Sequence, residues 1–143
     1  MIVTFDALPF YRGQVSMVDG AFDPLHAGHI AYFRAAAAFG QPLLCNVADD
    51  RYVSTKHHPL IPEWQRLAIL DALRDLALTH LNTHDTEAVL EQLRPVAYIK
   101  GRDWEGRLPP RQVEICERFG IQIRFVDTLK ESSTRLLKAA GLR

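Results

Sequence analysis

The chain has 143 residues, 48% hydrophobic and 24% charged, the mix of a soluble globular protein large enough to bury one core. Seventeen basic residues balance seventeen acidic ones, which argues against broad nucleic-acid binding, since that needs a basic face. No apolar run approaches the roughly 20 residues that cross a bilayer, and the N-terminus lacks the basic flank and apolar stretch of a secretory signal. The two cysteines, Cys45 and Cys116, form no CxxC pair and read as free thiols of a cytoplasmic protein.

With no internal repeat and no low-complexity tract, residues 1–143 read as a single domain, of which 1–13 are a lead-in of weak pattern. The first strand-length run is "QVSMVD", Gln14 to Asp19. A helix follows in which Ile30, Phe33 and Ala37 share one face, with Gly40 placed to end it. "PLLCNVAD" is nearly continuous and apolar, as a strand covered on both faces requires. Residues 48–61 are polar and read as a long loop. Pro62 then suits the first position of a helix, Glu63 its first turn, and Leu67, Leu70 and Leu73 line one side. "ALTHLN" reads as a strand, Thr86 to Leu93 as a helix halted by Pro95, and "VAYIK" as a strand. Pro109 and Pro110 precede a helix that runs through Phe119 and ends at Gly120; "IQIRFV" alternates as a strand, and a last helix starts near Ser133 and closes at Gly141.

This alternation predicts an α/β fold: a Rossmann-like, doubly wound, parallel five-stranded sheet with helices on both faces. Ligands of such sheets sit beyond the carboxyl ends of the strands, where strand order reverses. Chemistry is therefore expected just after each strand. The first of these places carries "DGAFDPLHAGHI". Gly20 allows a sharp turn or close approach of a ligand. Gly28, in the first helical turn, costs about 1 kcal/mol relative to alanine and predicts a bulky group nearby, such as a phosphate or base. The turn's unpaired N–H groups make an anion site, and His26 and His29, three apart, point to one side of it. Two histidines at this spacing also suit zinc, but a closed site needs two further ligands that the spacing does not supply, so no metal ligands are assigned.

"GAFDPLHAGHI" resembles the HxGH motif of the nucleotidyltransferase superfamily. The likeness runs from about residue 14 to 140 and is nearest to the heptose 1-phosphate adenylyltransferase branch, through "STKHHPLIPEWQR", "HDTEAVLEQLRPVAYIKGRDW" and "ESSTRLL". The resemblance implies that a nucleoside triphosphate, with ATP favoured, is joined to a phosphorylated small molecule, with Mg²⁺ on the phosphates, and it suggests a homodimer; the balanced charge and the lack of a long apolar run argue against nucleic-acid and membrane partners. It implies catalytic roles for His26, His29, Lys56 and Arg66. Lys56 lies on a flexible loop from which an ammonium can swing over a triphosphate, and Arg66 carries a planar fork that suits phosphate oxygens; its alternative is an ion pair with Glu63 or Asp71. Nucleotide contacts are implied for Gly20, Ala21, Phe22, Asp23, Gly28, Lys100, Gly101, Asp103, Ser132, Ser133 and Thr134. The three hydroxyls also read as simple helix caps. Trp104 offers either a stacking face or an ordinary core contact, and His57 and His58 read as loop residues.

Two stretches depart from the heptose pattern, "KGRDW" through Arg102 and Trp104, and "CNVADD". They leave open a cytidylyltransferase acting on glycerol 3-phosphate or another small alcohol phosphate. A nucleotide-binding module without catalysis is the third reading.

Overall fold

In the computed structural model, which describes residues 1–127 and 138–141, the lead-in is ordered. It forms a two-residue strand β1 (Ile2–Val3) and a 3-10 helix (Phe5–Tyr11). The alternation then follows as β2 (Ser16–Gly20), α1 (Ala27–Ala37), β3 (Leu43–Ala48), α2 (Asp50–Ser54), α3 (Glu63–Asp71), β4 (Leu78–Asn82), α4 (Thr86–Leu93), β5 (Ala97–Gly101), a short 3-10 turn (Arg102–Trp104), α5 (Pro110–Phe119) and β6 (Gln122–Val126). The helix predicted from near Ser133, together with Ser132, Ser133 and Thr134, lies outside the described residues except for its last few positions.

All strand pairs are parallel, in the order β1-β4-β3-β2-β5-β6. The five predicted strands are present, and β1 adds a sixth at the β4 edge that its two residues were too short to announce. α1 and α3 cover one face, where Phe33, Ala36 and Leu70 pack on Val18, Cys45 and Ile99. α4, α5 and the N-terminal 3-10 helix cover the other, with Val89, Leu90, Cys116 and Leu8 on Met17, Leu44 and Tyr98. Both thiols are free and buried.

Local chemistry explains most boundaries. Asp85 caps α4 by accepting from the Ala88 amide at 2.7 Å, and Gly120 ends α5 in the left-handed region at φ 68°. Pro62 stands one position before the helix it was expected to open. The 48–61 loop is broken by α2, because Asp49 accepts from the Tyr52 amide at 2.9 Å and so starts a helix there.

The chain turns from β2 to one face and from β5 to the other. Strand order reverses between these two, so the crevice for a ligand opens over the carboxyl ends of β2 and β5.

Candidate active site

The turn between β2 and α1 is built from short-range bonds. His26 precedes the helix with an extended backbone (φ −145°), and its Nδ1 accepts from the Gly28 amide at 3.0 Å. His29 returns the favour: its Nδ1 accepts from the His26 amide at 3.2 Å. The two imidazoles thus cap α1 reciprocally, and their rings stack at 3.8 Å. An Nδ1 that accepts carries no proton, so a neutral ring in this arrangement holds its hydrogen on Nε2. Burial first, and then the neighbouring His26, bring the pKa of His29 from 6.5 down to about 3. A neutral Nε2–H donor is the form this geometry fixes.

Upstream, Phe22 adopts φ 55°, a conformation that costs an ordinary residue about 1–2 kcal/mol. Its ring meets Phe33 at 5.3 Å and the edge of His29 at 5.0 Å. A Cβ on Gly20 would lie 2.9 Å from that ring. Gly20 therefore makes room for Phe22, where the sequence suggested room for a ligand. Asp23 is also turned inward. It is 1% exposed, and its two oxygens accept from the Leu60 and Ile61 amides at 2.9 and 2.8 Å. The side chains of Phe22 and Asp23 thus serve the protein itself: one braces His29, the other anchors the loop that carries Lys56.

Arg66 differs most from its sequence reading. It is 1% exposed and lies among backbone ends. Its Nε donates to Ile61 O at 2.9 Å, Nη1 to Ala21 O at 2.8 Å and Ala48 O at 2.7 Å, and Nη2 to Asp50 Oδ1 at 2.7 Å. Four of its five N–H donors are spent on holding β2, β3 and the loop together. The geometry corrects the expected phosphate fork to a positioning residue, and corrects its expected ion-pair partners Glu63 and Asp71 to Asp50. Glu63 instead accepts from the Asp50 amide at 2.8 Å, tying α2 to α3. Lys56 is exposed, its ammonium 5.8 Å from the Tyr52 ring centre. His57 sits 3.8 Å from Asp23 Oδ2 and bonds His58 O through Nδ1.

Across the crevice, Lys100 at the end of β5 donates to Asp19 Oδ1 at 2.7 Å, and the Tyr98 hydroxyl donates to Asp19 Oδ2 at 2.6 Å. Burial and this carboxylate push the Tyr98 phenol well up. The Lys100 ammonium lies 4.4 Å from the Trp104 ring centre, and Trp104 remains 42% exposed. Trp104 is thus a surface ring with a cation against it. Arg102 turns outward to Asp127 at 2.7 Å, and Gly101 and Asp103 lie on the same short turn. Asp19 and Tyr98 were not singled out from the sequence; only the register of β2 and β5 brings them beside Lys100. Among the described residues, no group of three or more His, Cys, Asp or Glu is placed to hold a metal ion, and no helix is long and apolar enough to cross a membrane.

A family model described as cytidylyltransferase-like matches residues 17–138. The chain belongs to the cytidylyltransferase-like family. Among curated proteins it is similar to the bifunctional protein HldE of Magnetococcus marinus, 34% identical over 85% of this chain and 26% of that one. It is likewise similar to HldE of Geobacter sulfurreducens, 31% identical over 90% of this chain and 28% of that one. The chain thus spans about a quarter of the length of these relatives. Among solved structures, a lipopolysaccharide core biosynthesis protein from Thermoplasma volcanium superposes with a TM-score of 0.67 at 24% identity, covering 82% of this chain and 98% of that one. At that identity the likeness speaks for the fold.

Proposed function

We propose that this member of the family transfers a nucleotidyl group, with ATP favoured, to a sugar phosphate such as heptose 1-phosphate. The carrying observation is the reciprocal cap: two stacked imidazoles with both Nδ1 atoms occupied and both N–H groups on Nε2, at the start of a helix beside the switch-point crevice. A phosphate oxygen of the acceptor forms the new bond to the α-phosphorus, the α–β bridging bond breaks, and pyrophosphate leaves. The attacking phosphate is already anionic at neutral pH, so the reaction asks for no enzyme nucleophile and no strong general base. Alignment of the two reactants is worth about 7–11 kcal/mol. Preorganised donors on the developing charge add about 3–4 kcal/mol each. His26 and His29 are such donors in this reading, Lys56 brings a mobile charge to the phosphates, and Arg66 acts by holding the strand ends and the Lys56 loop.

The nucleotide is assigned to the β5 side, where the resemblance implies contacts at Gly101 and Asp103; the contacts it implies at Ser132, Ser133 and Thr134 lie outside the described residues. Mg²⁺ would come as part of the triphosphate substrate and would offset its charge. The carboxylates at the ends of β2 and β3 fit it poorly: Asp23 is committed to two amides, Asp50 to Arg66 and Asp19 to Lys100 and Tyr98. The resemblance also supports a homodimer in the cytoplasm.

The second reading, a cytidylyltransferase acting on glycerol 3-phosphate or a similar alcohol phosphate, is favoured by the description of the matching family model. Pyrophosphate release with ATP and with CTP, against heptose 1-phosphate, other sugar 1-phosphates and glycerol 3-phosphate, separates the two. Tight nucleotide binding with no pyrophosphate release from any pairing points to a module without catalysis and ends both.

A further inference from the structure

On the face covered by α4 and α5, the apolar core ends at one row of the sheet. Tyr98, Met17, Leu44 and Leu78 face one another across β5, β2, β3 and β4 and belong to the core. Two residues further along each strand, the next row is wholly polar. Lys100 meets Asp19, Asp19 is in register with Asn46, and Asn46 with His80. This row lies one step beneath the strand ends and begins at the switch point itself. Lys100 is 8% exposed, Asn46 2% and His80 1%, and the Asp19 side chain is 11% exposed.

Four polar side chains set side by side in place of a core layer are costly unless each is paired. They are paired among themselves, and the pairing removes every net charge. The Lys100 ammonium is matched by the Asp19 carboxylate at 2.7 Å. Asn46 Oδ1 holds His80 Nδ1 at 2.8 Å, and burial, then His84, bring the His80 pKa down to about 4, so this imidazole is neutral. What survives is hydrogen-bonding capacity. Among the described residues, Asp19 is the one hydrogen-bond acceptor of the Lys100 ammonium, which leaves two of its three N–H donors for a ligand oxygen.

We infer that this row is an uncharged, hydrogen-bonding floor of the acceptor subsite, and that Asp19, by cancelling Lys100, selects acceptors whose far end carries hydroxyls over those carrying a second anion. The inference rests on the nucleotidyl-transfer reading for the word acceptor. With the nucleotide assigned to the β5 side, a partner that attacks the α-phosphorus approaches from β2 and β3, over Asp19 and Asn46. A bare ammonium there would attract a carboxylate or second phosphate, whereas an ammonium already held by a carboxylate offers N–H groups without net charge.

The test uses two probes that differ only in CH₂OH against COO⁻, glucose 1-phosphate and glucuronic acid 1-phosphate. Each is titrated by calorimetry into protein saturated with a non-hydrolysable ATP analogue. The wild type is expected to prefer the neutral sugar. Asp19→Asn, similar in size and still able to accept from Tyr98, should move the ratio of dissociation constants toward the acid by about tenfold, the scale of one partly screened charge. Lys100→Met should move it the opposite way, and the double variant Asp19→Asn, Lys100→Met should return it near the wild-type value. Two single variants of opposite sign keep the test open if one of them does not fold. A ratio indifferent to either substitution, or a wild type that binds neither probe, overturns the inference. Shifted ratios in a protein that releases no pyrophosphate would instead sink the enzymatic reading and leave the floor standing.

Discussion

Two segments flank the crevice, and they are held in opposite ways. The turn from Gly20 to His29 fastens itself with bonds that span two and three residues, His26 Nδ1 to the Gly28 amide and His29 Nδ1 to the His26 amide. The segment from Asp49 to Arg66 is held from a distance: Asp23 reaches Leu60 and Ile61 across 37 and 38 residues, and Arg66 reaches Ala21 across 45. A site made by local bonds keeps its shape wherever α1 forms. A site made by distant bonds depends on the whole sheet, so its residues should fail by loss of fold before loss of chemistry.

The largest effect that separates the two is on turnover. His29→Ala removes one Nε2–H donor and one capping acceptor. The rate of pyrophosphate release should fall by a factor of hundreds, about 3–4 kcal/mol of barrier, while the lost cap costs only about 1 kcal/mol of stability. A His29→Ala protein that keeps its turnover would remove the imidazole pair from the mechanism. Arg66→Met should show the reverse profile. It strands three carbonyls and the Asp50 carboxylate, and stability should drop by about 3 kcal/mol, read as a lower urea midpoint. A normally stable Arg66→Met protein with turnover lost a thousandfold would return Arg66 to the phosphates.

The same contrast decides what could be read from the sequence. The HxGH turn was legible because its chemistry lies within four consecutive residues, and α4 was legible to the residue because Thr86 to Leu93 carries its own cap and stop. The strands β2 to β6 were legible as apolar runs. Arg66 was recognised as important but misassigned, since nothing in "EWQR" tells a guanidinium aimed at phosphate from one aimed at the carbonyls of Ala21 and Ala48. Asp19, Asn46 and His80 were missed outright: each looks like an ordinary strand residue, and only parallel register aligns them. β1 was missed because its two residues depend on pairing with Thr79 and His80 rather than on any pattern of their own.

Asp23 joins the two segments, and its effect should be intermediate. Asp23→Asn keeps one accepting oxygen but sets an NH₂ against a second amide donor, Leu60 or Ile61. Leaving that buried amide unmatched costs about 1–3 kcal/mol. The Lys56 loop loses an anchor, so KM for the triphosphate should rise severalfold with a smaller change in kcat. A kcat that collapses with KM unchanged would mean that Asp23 acts on the reaction itself rather than on the loop.

The smallest effect is a pH slope. His29 and His80 have folded pKa values of about 3 and about 4, against about 6.5 in an unfolded chain. Both values are lowered, so the unfolded state binds the extra protons. The stabilisation is fully present above pH 6.5 and is lost as pH falls from there toward 4. Each ring contributes at most about 1.4 kcal/mol per pH unit. Urea melts between pH 7.5 and 4.5 should show this fall, and His29→Asn and His80→Asn should each flatten it. Saturating ATP distinguishes the rings, because a polyanion beside His29 favours its protonated form and raises its pKa. The share of the slope removed by His29→Asn should then shrink, while the share removed by His80→Asn, one row beneath the strand ends, stays as it was. If ATP leaves the His29 share untouched, the triphosphate does not sit over the stacked imidazoles.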